Sequence, residues 1–435
     1  MLQKQTIYDM PDLKGKVVII RVDYNVPVNE FGYITDDYRI RQSLPTIEHL
    51  RSLGAKIVLI SHLGRPSSKE DHQFSLAPVA TKLKDLLHLP VNFVDDCIGP
   101  KVKKAIKELS DGDILLLENL RFYKEEENND HKFAKNLAAG ADYFVQDGFG
   151  VVHRAHASTS AITKVLPSYA GLLLAKEVNT IEEALQHPKQ PLSVVIGGAK
   201  ISDKIELLKI FIKKADFVAV VGAMANNFLA AEGHAVGESL IEKDSISAAK
   251  EILELAASES KARNFTFFLP EDVVVAKEID SKSSTRVVDI KANTWADITS
   301  YPKQPDQAKY TVAKDELILD IGPISSAYIA GAVKLSRTVI WNGTAGVTEV
   351  KGWHGAADPF SHATKYIAAA MTAEKSGYKN HPFVIVGGGD TVGFVESIEG
   401  LRERLGFVST GGGASLDLMA GKKLPGVEAL LDSKS

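Results

Sequence analysis

The feature that most constrains the fold is a short apolar run that stops at glycine. Residues 384–391 read Val-Ile-Val-Gly-Gly-Gly-Asp-Thr, which is typical of a buried strand, a phosphate-binding loop and the start of a helix. Glycine lets backbone N–H groups approach an anion closely, and the N-terminus of the following helix adds partial positive charge. Asp390 could hold the Mg²⁺ that accompanies nucleotide phosphates. One such turn also occurs for packing reasons alone, so the motif gains weight by repetition.

Other apolar runs in the same half of the chain end in the same way. They lie at 194–200, 218–223, 339–343 and 407–413. Buried parallel strands are continuous apolar runs, and open α/β sheets bind ligands at the carboxyl ends of their strands. The pattern therefore predicts glycine-marked strand ends that line one crevice. Lys200 and Lys204, one helical turn apart behind Gly197-Gly198, could both point at nucleotide phosphates.

The first half repeats the alternation of strand and helix, but polar side chains follow its strands. Apolar runs at 16–20, 56–60, 114–117 and 143–145 lead into such loops, and helical periodicity marks 41–53, 77–87 and 101–109. The loops collect five arginines and three histidines: Arg21, Arg39, His62, Arg65, Arg121, His153, Arg154 and His156. A planar guanidinium offers paired donors to phosphate and carboxylate, so the cluster predicts an anion pocket. The acidic run 125–127 is interpreted as a solvated loop or helix start without a function.

Composition limits the classes of partner. The chain has 51 Lys+Arg against 55 Asp+Glu, so no overall basic excess indicates nucleic acid or an anionic membrane. No run of 18 apolar residues and no apolar leader core is present, which predicts a cytoplasmic protein without a membrane span. The single cysteine, Cys97, has no activating context and is interpreted as a structural side chain.

The length of 435 residues exceeds what one core usually serves, so two domains are expected. The fold class predicted is α/β, with two doubly wound parallel-sheet (Rossmann-like) domains joined by a hinge helix. The domains would span residues 1–170 and 191–419, and the linker helix and hinge residues 171–190. Proline and glycine on either side of the linker make domain closure possible. Residues 281–313 are interpreted as a surface insertion or loose hairpin of unknown role.

A cationic pocket in one half and a phosphate crevice in the other are the layout of a phosphotransferase. The chain has no Gly-x-x-x-x-Gly-Lys-Ser/Thr, so it is not a P-loop enzyme. A complete Gly-x-Gly-x-x-Gly with a ribose-binding acid is also absent, which disfavours an oxidoreductase that uses a nicotinamide cofactor. The other alternative is a nucleotide-sensing protein that binds without turnover.

Eight stretches together resemble one family. They are Arg21-Val-Asp-Tyr-Asn-Val-Pro27, Ser61-His-Leu-Gly-Arg-Pro66, Glu118-Asn-Leu-Arg-Phe122, His153-Arg-Ala-His-Ala-Ser158, Gly197-Gly-Ala-Lys-Ile-Ser-Asp-Lys204, Asp320-Ile-Gly-Pro323, Gly387-Gly-Gly-Asp-Thr391 and Ser409-Thr-Gly-Gly-Gly-Ala-Ser415. Over nearly its whole length the chain resembles phosphoglycerate kinase. The resemblance implies reversible phosphoryl transfer between ATP and the carboxylate of 3-phosphoglycerate, a step of glycolysis and gluconeogenesis, by a monomer that uses Mg²⁺. It also implies that the tail 420–435 packs back on the N-terminal domain.

The resemblance assigns residues to each substrate. Those implied for 3-phosphoglycerate are Asp23, Asn25, Arg39, His62, Leu63, Gly64, Arg65, Arg121 and Arg154. Those implied for Mg-ATP are Lys200, Lys204, Asn342, Glu349, Gly388, Gly389, Asp390 and Thr391, with Glu349 on the ribose and Asp390 on the metal. Gly412 and Gly413 would form a transition-state loop, and Arg39 and Lys200 are the candidate catalytic residues.

The chain departs from the family pattern in three places. The family's Trp-Asn-Gly-Pro, bulky apolar residue, Gly-Val-Phe-Glu is Trp341-Asn-Gly-Thr-Ala-Gly-Val-Thr-Glu349 here, its Gly-Gly-Gly-Met is Val221-Gly-Ala-Met224, and its Asn-Asp-Ala-Phe is Gln146-Asp-Gly-Phe149. The first two changes fall where the family packs its nucleobase. Because the residues implied for the phosphates are retained, catalysis is expected. Thr344, Ala345 and Thr348 predict weaker enclosure of the base and poorer discrimination of ATP from GTP.

Overall fold

The computed structural model describes residues 2–291, 310–373 and 381–433. Contacts between residues divide the chain into two compact units. Unit 1 is Met1–Glu183 with Thr410–Ser435, and unit 2 is Ala184–Ser409. The functional domains expected at 1–170 and 191–419 remain a prediction.

Unit 1 is built on one parallel sheet. Its described strands are β1 (Val17–Arg21), β2 (Lys56–Ile60), β3 (Asn92–Val94), β4 (Ile114–Leu117), β5 (Tyr143–Gln146) and β6 (Ser168–Ala170), in the order β3-β4-β2-β1-β5-β6. Its described helices are α1 (Tyr38–Ser52), α2 (Ala77–Leu87), α3 (Pro100–Lys107), α4 (Lys124–Glu127), α5 (His131–Leu137), α6 (Leu172–Gln186, which runs on into unit 2), α14 (Gly413–Met419) and α15 (Pro425–Glu428).

Helices cover both faces of this sheet. Alternate residues of β1 point to opposite faces, so Val18 and Ile20 pack with the apolar faces of α1 and α2. Ile19, between them, joins the core formed with α3 and α5. Every residue of β1 is therefore buried, which explains why its sequence is apolar without alternation.

The helix predicted at 41–53 is α1, which begins three residues earlier and ends one residue earlier. It begins at Tyr38 because the Asp36 carboxylate accepts a hydrogen bond from the Tyr38 backbone N–H at 2.8 Å. Asp37 then pairs with Arg41 four residues later, at 2.7 Å. A helix start set by aspartates is invisible to apolar periodicity.

Unit 2 is built on a second parallel sheet. Its described strands are β7 (Leu192–Ile196), β8 (Phe217–Val220), β9 (Thr266–Phe268), β13 (Thr338–Asn342), β14 (Phe383–Gly387) and β15 (Phe407–Val408), in the order β15-β14-β13-β7-β8-β9. Its other described helices are α7 (Ile205–Lys214), α8 (Ala223–Ala231), α9 (Ile246–Ala262), α10 (Pro323–Leu335), α11 (His362–Thr372), α12 (Gly389–Glu396) and α13 (Leu401–Arg404). The two doubly wound sheets confirm the predicted fold class.

A small antiparallel sheet adds to unit 2. It consists of β10 (Asp272–Ala276), β11 (Arg286–Asp289) and β12 (Leu317–Ile321), in the order β11-β10-β12. Of the two interpretations of 281–313, a surface insertion or a loose hairpin, the described part agrees better with a hairpin, because β11 pairs antiparallel with β10 and buries Val288. The rest of that stretch from 292 to 309 lies outside the described residues.

The last described residues of the chain pack within unit 1. The Gly426 N–H donates to the Val152 carbonyl at 2.8 Å, and the Leu431 N–H donates to the Ser168 carbonyl at 3.1 Å. Leu431 also accepts from the Gln5 N–H at 2.8 Å. The edge strand β6 is thus covered by both ends of the chain.

Within the three described ranges, none of the helices has both the length and the apolar composition that a membrane span requires.

Candidate active site

The pocket of unit 1 begins with a pair of opposite charges. Asp23 follows β1, and its Oδ2 lies 2.9 Å from Nη1 of Arg39, which projects from α1. The same nitrogen donates to the Asn25 carbonyl at 3.2 Å. Among the described residues only Nη1 of Arg39 has a partner, so its remaining guanidinium N–H groups can donate to an anion.

The loop after β2 forms the next part of the pocket. The Gly64 N–H donates to Asn25 Oδ1 at 2.8 Å, and the Gly64 carbonyl accepts from Arg121 Nη1 at 2.8 Å. Gly64 has φ +60°, and a Cβ there would lie 2.3 Å from the Phe74 ring, so only glycine fits. Asn119, which the sequence analysis missed, fixes this loop by donating to the Leu63 carbonyl at 2.7 Å.

Other residues that the sequence predicts for this pocket lie around the Gly64 loop. Arg154 Nε donates to His153 Nε2 at 3.1 Å, and a Cβ on Gly413 would lie 3.4 Å from that same nitrogen. Arg65 is exposed and has no hydrogen-bond partner among the described residues. The pKa of Arg121 is lowered by burial and further by the charges of Arg154 and Arg65, so these guanidinium groups are close enough to repel each other.

The interpretation of the acidic run 125–127 is wrong for one residue. Glu126 lies in α4, but it is only 1% exposed. Its carboxylate accepts hydrogen bonds from Ser158, at 3.0 Å from the backbone N–H and 2.5 Å from the hydroxyl. Charge runs are usually solvated, and nothing in the local sequence shows that a segment more than thirty residues later covers this carboxylate.

Two histidines of the cluster lie among arginines, His62 fully buried and His156 partly buried. Burial lowers the pKa of His62 well below its usual value, and the charges of Arg21, Arg121, Arg39 and Arg154 lower it further. Burial, with Arg21 next, also lowers the pKa of His156, to about 4. Both side chains are therefore neutral near pH 7.

In unit 2 the loops after β7 and β13 meet at Lys204. Its Nζ donates to the Gly197 carbonyl and, at 2.6 Å, to Asn342 Oδ1. Burial lowers the pKa of Lys204 to about 8, although Asp390 and Asp203 oppose the shift. A buried ammonium held by neutral oxygens is ready to receive an anion.

The glycine-rich turn after β14 packs against Asn342, the residue that accepts from Lys204. A Cβ on Gly388, whose φ is +90°, would lie 2.8 Å from Asn342 Nδ2. That nitrogen is buried and finds no acceptor among the described residues. Thr391, one turn into α12, accepts the Gly343 N–H at 2.6 Å. A buried donor without a partner beside a helix N-terminus fits a phosphate oxygen.

A cleft of about 210 Å³ adjoins these loops. Glu349 and Asp390 line it, together with Gly198, and its apolar wall includes Leu229, Leu240, Pro270, Val273 and Ile318. Thr344 and Ala345 also line the cleft, whereas the third substituted residue, Thr348, is buried outside it.

Asn226 is a polar part of the cleft wall that the sequence analysis did not single out. It is 1% exposed and donates to the Leu240 carbonyl at 3.2 Å, and its Oδ1 has no partner in the described part of the chain.

The residues present also fit a magnesium ion bound with a nucleotide. Asp390 is exposed in the first turn of α12, where its carboxylate borders the cleft. Mg²⁺ is commonly held by one or two carboxylates together with substrate phosphates and water.

Lys200 is also exposed, and no described residue pairs with it.

Comparison with known proteins gives these two sites a context. A profile of the family "Phosphoglycerate kinase" matches residues 7–422. The phosphoglycerate kinase of Moorella thermoacetica is 43% identical over 431 residues, which cover 99% of this chain and 100% of that protein. The chain belongs to the phosphoglycerate kinase family. Members of this family transfer a phosphoryl group between ATP and a carboxyl group, so the chain is a phosphotransferase with a carboxyl group as acceptor.

Solved structures of phosphoglycerate kinases share the fold. The enzyme from Coxiella burnetii is 35% identical, with a TM-score of 0.77 and 98% of each chain covered. The enzyme from Pyrococcus horikoshii OT3 is 28% identical, with a TM-score of 0.79 and 98% of each chain covered.

Proposed function

We propose that unit 1 binds 3-phosphoglycerate or 1,3-bisphosphoglycerate and that unit 2 binds ATP or ADP with Mg²⁺. The observation that carries the proposal is the arrangement of donors at the carboxyl ends of parallel strands in each unit. In unit 1 these are the guanidinium groups around Asp23, Asn25 and Gly64. In unit 2 they are Lys204 and the Asn342 side chain beside the turn before α12.

The acceptor pocket would recognise its substrate by charge. Arg65, Arg121 and Arg154 would hold the phosphate that does not react, because each guanidinium can donate two parallel hydrogen bonds to it. Arg39, paired with Asp23, would approach the carboxylate that accepts the transferred phosphoryl group.

The nucleotide site would hold the phosphates of ATP by the ammonium groups of Lys200 and Lys204 and by the turn Gly388 to Thr391. Glu349 would bind the ribose, and the base would lie along the apolar wall of the cleft. Asp390 would hold Mg²⁺, which when bound neutralises charge on the phosphate oxygens.

The chemistry needs positioning and charge neutralisation more than proton transfer. A carboxylate is already deprotonated near neutral pH, so no general base is required. Arg39 and Lys200 would stabilise the equatorial oxygens of the transferring group, and a well-placed arginine can contribute about 10³ to 10⁵ in rate. Gly412 and Gly413, which lack side chains, would let backbone N–H groups approach the same oxygens. The protein would be a monomer, as the family resemblance implies. It would act in the cytoplasm and close about its hinge, as the sequence itself predicts.

A coupled assay tests the function directly. We expect ATP-dependent formation of 1,3-bisphosphoglycerate from 3-phosphoglycerate, measured by NADH oxidation with excess glyceraldehyde-3-phosphate dehydrogenase. Activity should disappear with EDTA and return with excess MgCl₂. ADP binding by calorimetry without any turnover would instead identify an impaired homologue that retains only the nucleotide site.

A further inference from the structure

Arg21 is a buried arginine that points at His62. It is 1% exposed, its Nε donates to Ser158 Oγ at 2.8 Å, and Nη1 donates to the Val22 carbonyl. Nη2 lies 3.2 Å from His62 Nδ1. Arg21 belongs to the arginine and histidine cluster that predicts the anion pocket, but neither substrate binding nor phosphoryl transfer as proposed above uses it directly.

The contact between Arg21 and His62 fixes where the histidine carries its proton. A guanidinium has only donors, so His62 Nδ1 must be the acceptor. A neutral imidazole that accepts at Nδ1 carries its hydrogen at Nε2, on the far side of the ring from Arg21. No described residue accepts a hydrogen bond from that Nε2.

The charges that face His62 favour the neutral ring. Arg21, Arg39, Arg121 and Arg154 all act against protonation. One carboxylate opposes them, since Asp23 Oδ1 lies 3.9 Å from His62 Nδ1. Protonation would place a hydrogen on Nδ1, directly against the Arg21 guanidinium.

Glu126 and Ser158 complete the chain of hydrogen bonds behind Arg21. Ser158 has one hydroxyl hydrogen, which it donates to Glu126 at 2.5 Å. Its oxygen lone pairs are therefore left to accept from Arg21 Nε. The buried carboxylate also compensates the buried guanidinium, because the Glu126 charge raises the pKa of Arg21, which burial lowers.

We propose that Glu126, Ser158 and Arg21 are positioning residues that hold His62 as the neutral Nε2–H tautomer, a hydrogen-bond donor to the anionic acceptor substrate. The proposal rests on the acceptor site assigned to unit 1. His62 would then recognise 3-phosphoglycerate by a directed hydrogen bond and not by positive charge. Binding would persist at pH values above the ordinary pKa of histidine, where a cationic histidine would have lost its charge.

The tautomer can be observed without turnover. Two-bond ¹H–¹⁵N correlation spectra of the full chain, labelled in histidine nitrogen, distinguish Nε2–H from Nδ1–H and from imidazolium. The His62 signal is assigned by its loss in His62→Asn. We expect the Nε2–H pattern, unchanged between pH 5.5 and 8. An imidazolium or an Nδ1–H pattern at pH 7 would overturn the proposal, whatever the activity of the enzyme.

Variants test whether the chain of hydrogen bonds sets the tautomer. Ser158→Ala removes the link, and Glu126→Gln removes the charge but keeps the shape. Each should mix the His62 tautomers and raise the KM for 3-phosphoglycerate about tenfold, with kcat and the KM for ATP within about twofold. Glu125→Gln, an exposed neighbour on α4, is the matched control and should change neither.

A higher KM with an unchanged tautomer pattern would reduce these residues to a structural role and refute the proposal. An unchanged KM would refute it as well. Absence of turnover in the wild-type chain would count against the proposed function instead, because the tautomer of His62 is read in the free protein.

Discussion

Arg39 is placed before any substrate arrives. Its Nη1 is shared between the Asp23 carboxylate and the Asn25 carbonyl, at 2.9 and 3.2 Å. Fixing a long side chain in advance removes part of the entropy loss on binding. The Asp23 carboxylate therefore orients the Arg39 guanidinium, although its negative charge lowers the positive electrostatic potential that Arg39 presents to an anion.

Arg65 differs from Arg39 because it is exposed and unpaired in the described part of the chain. We expect Arg65→Ala to raise the KM for 3-phosphoglycerate about tenfold or more while kcat changes little, since a clamp on the non-reacting phosphate contributes uniform binding. Steady-state kinetics measures both constants. Arg41→Ala, which removes an arginine of α1 that pairs with Asp37, serves as the control. If Arg65→Ala matches Arg41→Ala, Arg65 does not belong to the site.

The wall proposed to enclose the base departs from the family pattern at two residues that line the cleft. Thr344 stands in place of a proline and Ala345 in place of a bulky apolar residue. Because fewer apolar atoms enclose the base, we expect a kcat/KM ratio for ATP over GTP below about ten. Competition kinetics with the two nucleotides gives the ratio. A preference above about a hundredfold contradicts the prediction.

On the scale of the elements, helix α6 begins against a buried carboxylate. The buried carboxylate of Asp147 accepts the N–H groups of Leu173 and Leu174 at 2.9 and 3.3 Å. A Cβ on Gly171 would lie 2.1 Å from Asp147 Oδ1, so glycine is needed where the helix begins. Burial raises the pKa of Asp147 to about 7.

This shift couples the stability of unit 1 to pH. The pKa of Asp147 is higher in the folded chain than the unfolded value of about 3.9, so its stabilising contribution is complete below about pH 4 and is lost as the pH rises through 7. The loss is at most about 4 kcal/mol. Asp147→Asn cannot titrate, so its melting temperature should fall less than that of the wild type between pH 5 and 8.

Thermal unfolding at several pH values, followed by circular dichroism, tests the coupling. Asp130→Asn, which alters the capping carboxylate of α5, is the control and should keep the wild-type pH dependence. Parallel curves for wild type and Asp147→Asn would show that Asp147 does not titrate in this range.

Elements with a strong apolar signal were predictable from the sequence. The strands before the glycine-marked ends and the helix at 77–87 lie where the sequence predicts them. The spacing of apolar residues within each segment is enough to indicate whether it is a strand or a helix. The sequence did not reveal β11 in a polar stretch, or the burial of Glu126. Both depend on partners distant in the chain, and local patterns carry no information about such partners.

The candidate site was predictable from the sequence to a similar extent. Clustered arginines and glycine turns indicated two anion sites, and the family resemblance supplied roles for individual residues. The contacts that orient those residues, such as Asn119 with Leu63 or Ser158 with Arg21, come from short polar side chains of common type. Nothing in their spacing distinguishes them from surface residues.

On the scale of the whole molecule, the two residues that we propose as catalytic lie in different units. Arg39 belongs to unit 1 and Lys200 to unit 2. If both act on the same phosphoryl group, each contributes only after the hinge closes. We expect Arg39→Ala and Lys200→Ala each to lower kcat by about 10² to 10³, roughly 3 to 4 kcal/mol, with both KM values within a few fold.

The double variant tests the coupling. Removal of both groups should cost less than the sum of the two single losses, because neither works without the closed state that aligns the other. Full activity in one single variant removes that residue from the mechanism, and strict additivity removes the coupling through closure.

The packing of Leu431 between Gln5 and Ser168 has a consequence for synthesis on the ribosome. Translation proceeds from the N-terminus, so residues 5 and 168 emerge long before residue 431. Unit 2, an uninterrupted segment, can fold as soon as it leaves the exit tunnel. Unit 1 must wait with its edge strand β6 incompletely covered, although its six strands were made first. That edge of the nascent chain therefore stays open to mispairing until residue 431 has been synthesised and has paired there.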